Sequence, residues 1–91
     1  MIEIINIAYY RKEDWKRFVE SVDDKESLHD TWEDWHLSFI KAKINLSIYD
    51  YIIKEVIIDV DKLKDYCRKK GLKNTSSTRA QYVLEYELAQ N

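Results

Sequence analysis

The stretch Tyr51-Ile52-Ile53-Lys54-Glu55-Val56-Ile57-Ile58-Asp59-Val60 decides how this chain folds. Successive side chains of an extended backbone point to opposite sides, so Ile52, Val56, Ile58 and Val60 share one face and Ile53 and Ile57 take the other. The spacing predicts a strand over 52–59 that is apolar on both faces. A strand with one wet face would alternate cleanly between apolar and polar residues, so this one has to be covered twice. The opening stretch Ile2-Glu3-Ile4-Ile5-Asn6-Ile7-Ala8-Tyr9-Tyr10 has the same character. It is rich in β-branched and aromatic residues without helical spacing, and predicts a second strand over 2–9.

Four helices are expected around these strands. Trp15, Phe18, Val19 and Val22 recur at helical spacing and predict a helix over 11–22, with Glu13 and Asp14 in the first turn where negative charge is favoured. Asp30 followed by Glu33 reads as a capping box for a helix over 31–45, with Trp32, Trp35, Phe39, Ala42 and Leu46 on one broad face. Ile40 and Ile44 widen that face, so this helix too is expected to be covered on more than one side. Asp59 is the expected cap of a helix over 60–70 that carries Leu63, Tyr66 and Cys67 inward and closes at Gly71. Thr75, Ser76 and Ser77 introduce a last helix over 76–89, with Ala80, Val83, Leu84 and Leu88 inward and Tyr82 and Tyr86 on a flank. The order strand, helix, helix, strand, helix, helix, with direction alternating at each short connection, predicts a two-layer α/β fold of α+β type with two antiparallel strands. Trp15, Phe18, Trp35, Phe39, Val56, Ile58, Leu63 and Leu84 are its expected core.

Composition bounds the rest. Ninety-one residues with 45% hydrophobic content and three Trp, seven Tyr and two Phe make one domain, 1–91, too rich in apolar residues to be disordered despite 35% charge. The single Cys67 cannot form an internal disulfide, and no signal-peptide pattern opens the sequence, so a reducing cytoplasmic compartment is expected. No run of about 18 apolar residues spans a membrane. One Gly and no Pro exclude phosphate-cradling glycine loops, and a net charge of -2 disfavours nucleic acid as a partner of the whole surface.

The strings Tyr10-Arg11-Lys12-Glu13-Asp14-Trp15, Thr31-Trp32-Glu33-Asp34-Trp35, Ile58-Asp59-Val60-Asp61, Tyr66-Cys67 and Gly71-Leu72 resemble a loose family of small bacterial proteins. Its members carry a Tyr-Arg-Pro-Glu-Asp-aromatic start, a Thr-Tyr-Glu-Glu-Trp helix, an Ile-Asp-Pro-Asp strand end and a Trp-Cys pair. This chain has Lys12 and Val60 where that pattern has proline. The shared motifs are caps and core aromatics, so the resemblance implies no activity, cofactor or site residue.

Few constellations bear chemistry. His29, Glu33 and His36 have the spacing of metal ligands on a continuous helix, but lack the His-Glu-x-x-His pattern and read as surface histidines. Glu55, Asp59 and Asp61 could hold a divalent cation, though the two aspartates stand where a helix start needs an acceptor. Cys67 falls on an apolar helix face, and Ser76 and Ser77 follow no glycine elbow. No catalytic, cofactor-binding or metal residue is therefore assigned. Trp32 is a candidate contact residue, since tryptophan favours interface centres.

Charge is distributed unevenly. Residues 61–79 hold Lys62, Lys64, Arg68, Lys69, Lys70, Lys73 and Arg79 against Asp61 and Asp65, while residues 23–34 hold Asp23, Asp24, Glu26, Asp30, Glu33 and Asp34 against Lys25. Such a dipole steers a partner or pairs one copy with another. The expected function is a small cytoplasmic protein-interaction module, self-associating as a homodimer, with Trp32, Lys62, Arg68, Lys69, Lys70, Lys73 and Arg79 as candidate contacts. The alternative is nucleic-acid binding through the basic segment 62–79, with Tyr66 or Tyr82 for stacking. No membrane partner is expected.

Overall fold

The computed structural model describes the backbone of residues 3–90 and the side chains of residues 3–85. Strand β1 (Glu3–Tyr9) leads through a 3-10 turn (Lys12–Asp14) into the short helix α1 (Trp15–Ser21). A second 3-10 turn (Lys25–Ser27) precedes the long helix α2 (Trp32–Ile48), and β2 (Tyr51–Ile57), α3 (Val60–Lys70) and α4 (Ser76–Gln90) complete the order. The expected plain alternation of strands and helices thus lacks the two 3-10 turns that bracket α1. Local chemistry sets the helix starts. Thr31, not Asp30, caps α2, its hydroxyl accepting from the Asp34 N–H. This choice places Trp32 at the first helical position, from which its indole Nε1 donates to the Tyr10 carbonyl at 2.7 Å. Asp59 caps α3, accepting from the Asp61 and Lys62 N–H groups.

The two strands are parallel, in the register Glu3↔Tyr51 through Tyr9↔Ile57, which corrects the antiparallel sheet expected from the sequence. Counting α1 as a full reversal of direction caused the error. At seven residues, α1 covers only about 10 Å, whereas the 17 residues of α2 cover about 25 Å, the length needed to run back along a seven-residue strand of about 23 Å. One full-length return delivers β2 to the end where β1 began, as in any strand–helix–strand crossover.

Helices lie on both faces of this sheet. On one, Tyr9 meets Trp35 and Phe39 of α2 edge-on, with ring centroids 5.5 and 5.3 Å apart, and Lys43 reaches Glu55 at 2.7 Å. On the other, Ala8 and Val56 join a core of Tyr10, Trp15, Phe18, Val22, Ile58, Leu63, Cys67, Tyr82 and Val83. Phe18, Ile58 and Leu63 are fully enclosed, and the Tyr10 and Phe18 rings stack 4.0 Å apart. Of the expected core, Trp35 is only partly buried and Leu84 is 61% exposed. Ile52 and Ile57, expected under cover, are also exposed. Tyr86 and Leu88 lie beyond the described side chains.

A buried ion pair fixes how α4 is turned. The Arg79 guanidinium, 7% exposed, donates through Nη1 and Nη2 to the two Asp24 carboxylate oxygens at 2.8 and 3.0 Å. Nη1 also donates to the Asn74 backbone carbonyl and side-chain oxygen. Asp24 in turn accepts from the Ser76 N–H and the Ser27 hydroxyl, so it caps α4 from a distant loop. With Arg79 inward, Tyr82 and Val83 follow it into the core, and Leu84, about 140° round the helix from Arg79, faces out. The neighbouring loops are tied by Asp23, whose N–H donates to the Asn74 carbonyl while its carboxylate accepts the Asn74 N–H at 2.7 Å.

Two stability measurements follow from this geometry. The only glycine, Gly71, ends α3 at φ 65°, with its N–H on the Arg68 carbonyl and the Leu72 N–H on the Cys67 carbonyl. Nothing crowds a Cβ there, so Gly71→Ala should cost only the left-handed backbone term, about 1 kcal/mol in urea unfolding. Asp24 is held down to about 2 from 3.8, chiefly by its bond to Arg79. A depressed carboxylate contributes fully above its unfolded value, so roughly 2 kcal/mol should fade as pH falls from about 4 through about 2. Urea midpoints at successive pH values should show that acid limb, and Asp24→Asn should flatten it while costing roughly 3–5 kcal/mol for the guanidinium left unpaired.

Candidate functional site

A two-stranded sheet leaves each strand one unpaired edge. The Tyr9 carbonyl accepts from the Ile58 N–H, so Tyr9, and with it Ile7 and Ile5, turn their backbone polar groups toward β2. By the alternation of a strand, Ile4, Asn6, Ala8 and Tyr10 turn theirs the other way. Tyr10 is already served, because the Trp32 indole donates to its carbonyl. Ile4, Asn6 and Ala8 face a crevice of about 690 Å³ that follows this edge.

The crevice has two walls and a closed end. One wall is Trp35 with Leu28 and His29; the other is Arg79, Ala80, Val83 and Leu84 of α4 with Ser76 at its start. The segment 25–31 closes the end by Tyr10, because it must cross from Asp24, bonded at the start of α4, to Trp32, bonded at Tyr10. Tyr10, Trp15 and Phe18 form the floor. Burial pushes the Tyr10 phenol up to about 12 against the pull of the Arg79 guanidinium, so it stays neutral. The Arg79 charge is spent on Asp24 and its carbon lies 5.4 Å from the Phe18 ring centroid. The lining is therefore mainly apolar, with Asn6, Ser27, His29, Ser76 and Arg79 as its polar members. Asn6, also in the lining, keeps a buried Oδ1 with no hydrogen-bond partner among the described residues.

Of the contact residues singled out from sequence, Arg79 lines the crevice and the others lie elsewhere. Trp32 lies outside the crevice lining, its indole on the Tyr10 carbonyl, its ring stacked on His36 with centroids 4.4 Å apart and the Lys12 ammonium 5.8 Å from it. Arg68 and Lys69 are both paired with Asp65, Lys70 reaches Glu85 at 3.3 Å, and Lys62 and Lys73 are exposed. Arg79 is buried. The acidic and basic segments thus meet within the chain, through Asp24–Arg79, and Arg17 draws Asp61 at 2.8 Å.

The remaining constellations are dispersed. His29 precedes α2, Glu33 is bonded to Lys12 at 2.7 Å and has its carboxyl lowered by it, and His36 is stacked. Glu55 is paired with Lys43, and Asp59 is a cap. Among the described residues no three potential ligands come together as a metal site. Cys67 is buried, and burial raises its thiol pKa, which disfavours the nucleophilic thiolate. Among the described residues no helix is long and apolar enough to cross a membrane. Sequence reasoning missed the crevice, which depends on strand direction; the signal that could have found it was the two-sided apolar pattern of both strands.

No family model, no curated protein and no solved structure matches this chain.

Proposed function

We propose that this chain is a small protein-interaction module of the cytoplasm that binds an extended segment of a protein partner along the open edge of β1. The observation that carries the reading is the coincidence of a mainly apolar crevice with the open edge of β1, where Ile4, Asn6 and Ala8 have no strand partner on that side among the described residues. An unpaired strand edge is a template for another strand. A segment of about five residues added there would take main-chain hydrogen bonds from β1, and its alternate side chains would fall against the Leu28–Trp35 wall and the Ala80–Leu84 wall. A reducing compartment suits the free, buried Cys67. Three of the candidate cations, Arg68, Lys69 and Lys70, are answered by carboxylates of the chain itself, which favours a protein partner over nucleic acid.

The test uses a phage-displayed library of random peptides panned against the full chain, followed by titration of synthetic versions of the enriched peptides. Enrichment of peptides with alternating apolar residues is expected. Ala8→Pro removes an N–H that faces the open edge, where proline is tolerated, and should weaken those peptides roughly tenfold or more with little change in thermal midpoint. Ala80→Trp, which fills the crevice from an exposed position of α4, should do the same. Binding untouched by both variants would sink the edge reading. A steeply salt-dependent complex with oligonucleotides, lost on replacing Lys62 and Lys73, would favour the nucleic-acid alternative.

A further inference from the structure

Opposite the face that α2 lays on the sheet, Leu37, Ile40, Ile44 and Ile48 form a second apolar stripe, 54, 39, 56 and 70% exposed. Phe39, nearly buried against Tyr9, points about 145° away from the middle of this stripe. We infer that the outward stripe of α2 is the seat of a second copy of this chain, the two helices pairing antiparallel about a two-fold axis near Ala42. This goes beyond the edge reading, since it uses a different surface.

Area, register and charge support this occupant. A folded monomer of 11.0 kDa exposes about 5,600 Å² by the usual scaling with mass, whereas this chain exposes 6454 Å². The surplus of about 800 Å², to which the stripe and the crevice both contribute, is of the order of one partner's share of a standard protein interface. The stripe also complements itself. With the axis near Ala42, Leu37 of one copy meets Ile48 of the other and Ile40 meets Ile44, so each apolar residue gains an apolar partner, as a two-fold contact requires. In this register each Lys41 stands at the rim of the stripe near the other copy's Lys41, its ammonium free to reach water. Lys43 is drawn to Glu55 on its own sheet. A lipid surface suits the stripe less well, because membrane-lying helices carry an excess of Lys and Arg on their polar face, and α2 balances Lys41 and Lys43 with Glu33 and Asp34.

Sedimentation equilibrium of the full chain over a wide concentration range tests the inference, with circular dichroism as the control for folding. The expected result is a reversible species of twice 11.0 kDa. Ile44→Glu should weaken it roughly 100-fold or more, because two buried charges are introduced per dimer, and Ile40→Lys should do likewise. In the antiparallel register Lys at 40 faces Glu at 44 of the other copy, so the double variant Ile40→Lys with Ile44→Glu should regain at least part of the lost affinity. A wild-type chain that stays at 11.0 kDa throughout, including one that instead binds phosphatidylcholine–phosphatidylserine vesicles, would overturn the inference. So would folded single variants that dimerise as the wild type does. A double variant no tighter than the singles would overturn the antiparallel pairing.

Discussion

A guanidinium removed from water costs several kcal/mol unless its donors are met, and the bidentate pair of Arg79 with Asp24 is the bond on which the rest of this small structure turns. It joins α4 to the loop before α2 across more than fifty residues of sequence. The same carboxylate caps α4 through Ser76 and anchors the 3-10 turn through Ser27. One contact thereby sets the rotation of α4, which residues it buries and which wall it gives the crevice. The loop tethered by Asp24 then delivers Trp32 to the end of β1. Ring stacking of Tyr10 on Phe18 fills the space beside the pair, so the polar link sits under an aromatic cover.

Local features of this architecture were legible in the sequence because they are settled by near neighbours. The α3 boundaries follow from Asp59, whose carboxylate meets two amides of the first turn, and from Gly71, whose positive φ lets the last carbonyls be satisfied. Strand positions followed from period-two patterning, and Phe18, Phe39 and Leu63 from helical patterning. Strand direction was not legible by counting reversals, because helices differ in length and only α2 is long enough to reverse the path. The stronger cue was the apolar pattern on both faces, which belongs to parallel strands covered by helices on each side. The inward face of α4 was hidden for a different reason. Hydrophobicity alone favours Leu84 over Arg79, and only a carboxylate from a distant loop reverses that order.

Much the same holds for the candidate site. An open strand edge is a property of topology, and no residue announces it. Trp32 was picked out for its chemistry, but its indole serves as a donor to Tyr10 and a stack on His36, outside the crevice lining. The charge segments looked like a surface dipole in one dimension. In three dimensions Asp24 and Arg79 cancel out of sight of solvent, and Asp65 and Glu85 hold most of the remaining helix-end cations. Charge counted along a chain overstates the field outside it whenever opposite blocks fold onto each other.

Helix α2 connects the two surfaces proposed to bind. Its Trp35 belongs to the crevice, its Phe39 and Lys43 hold the sheet, and its Leu37, Ile40, Ile44 and Ile48 face outward. A helix with apolar stripes on two sides gains by covering both. The sheet covers one side, and a second copy would cover the other. With both in place the two apolar sides of α2 are covered, and the crevice, lined by Trp35 on the side away from that stripe, remains free in each copy. An extended segment added at the edge would also turn a two-stranded sheet, near the lower limit of stability, into a three-stranded one. The two associations therefore answer two different deficits of the isolated chain, uncovered apolar area on a helix and unpaired polar groups on a strand.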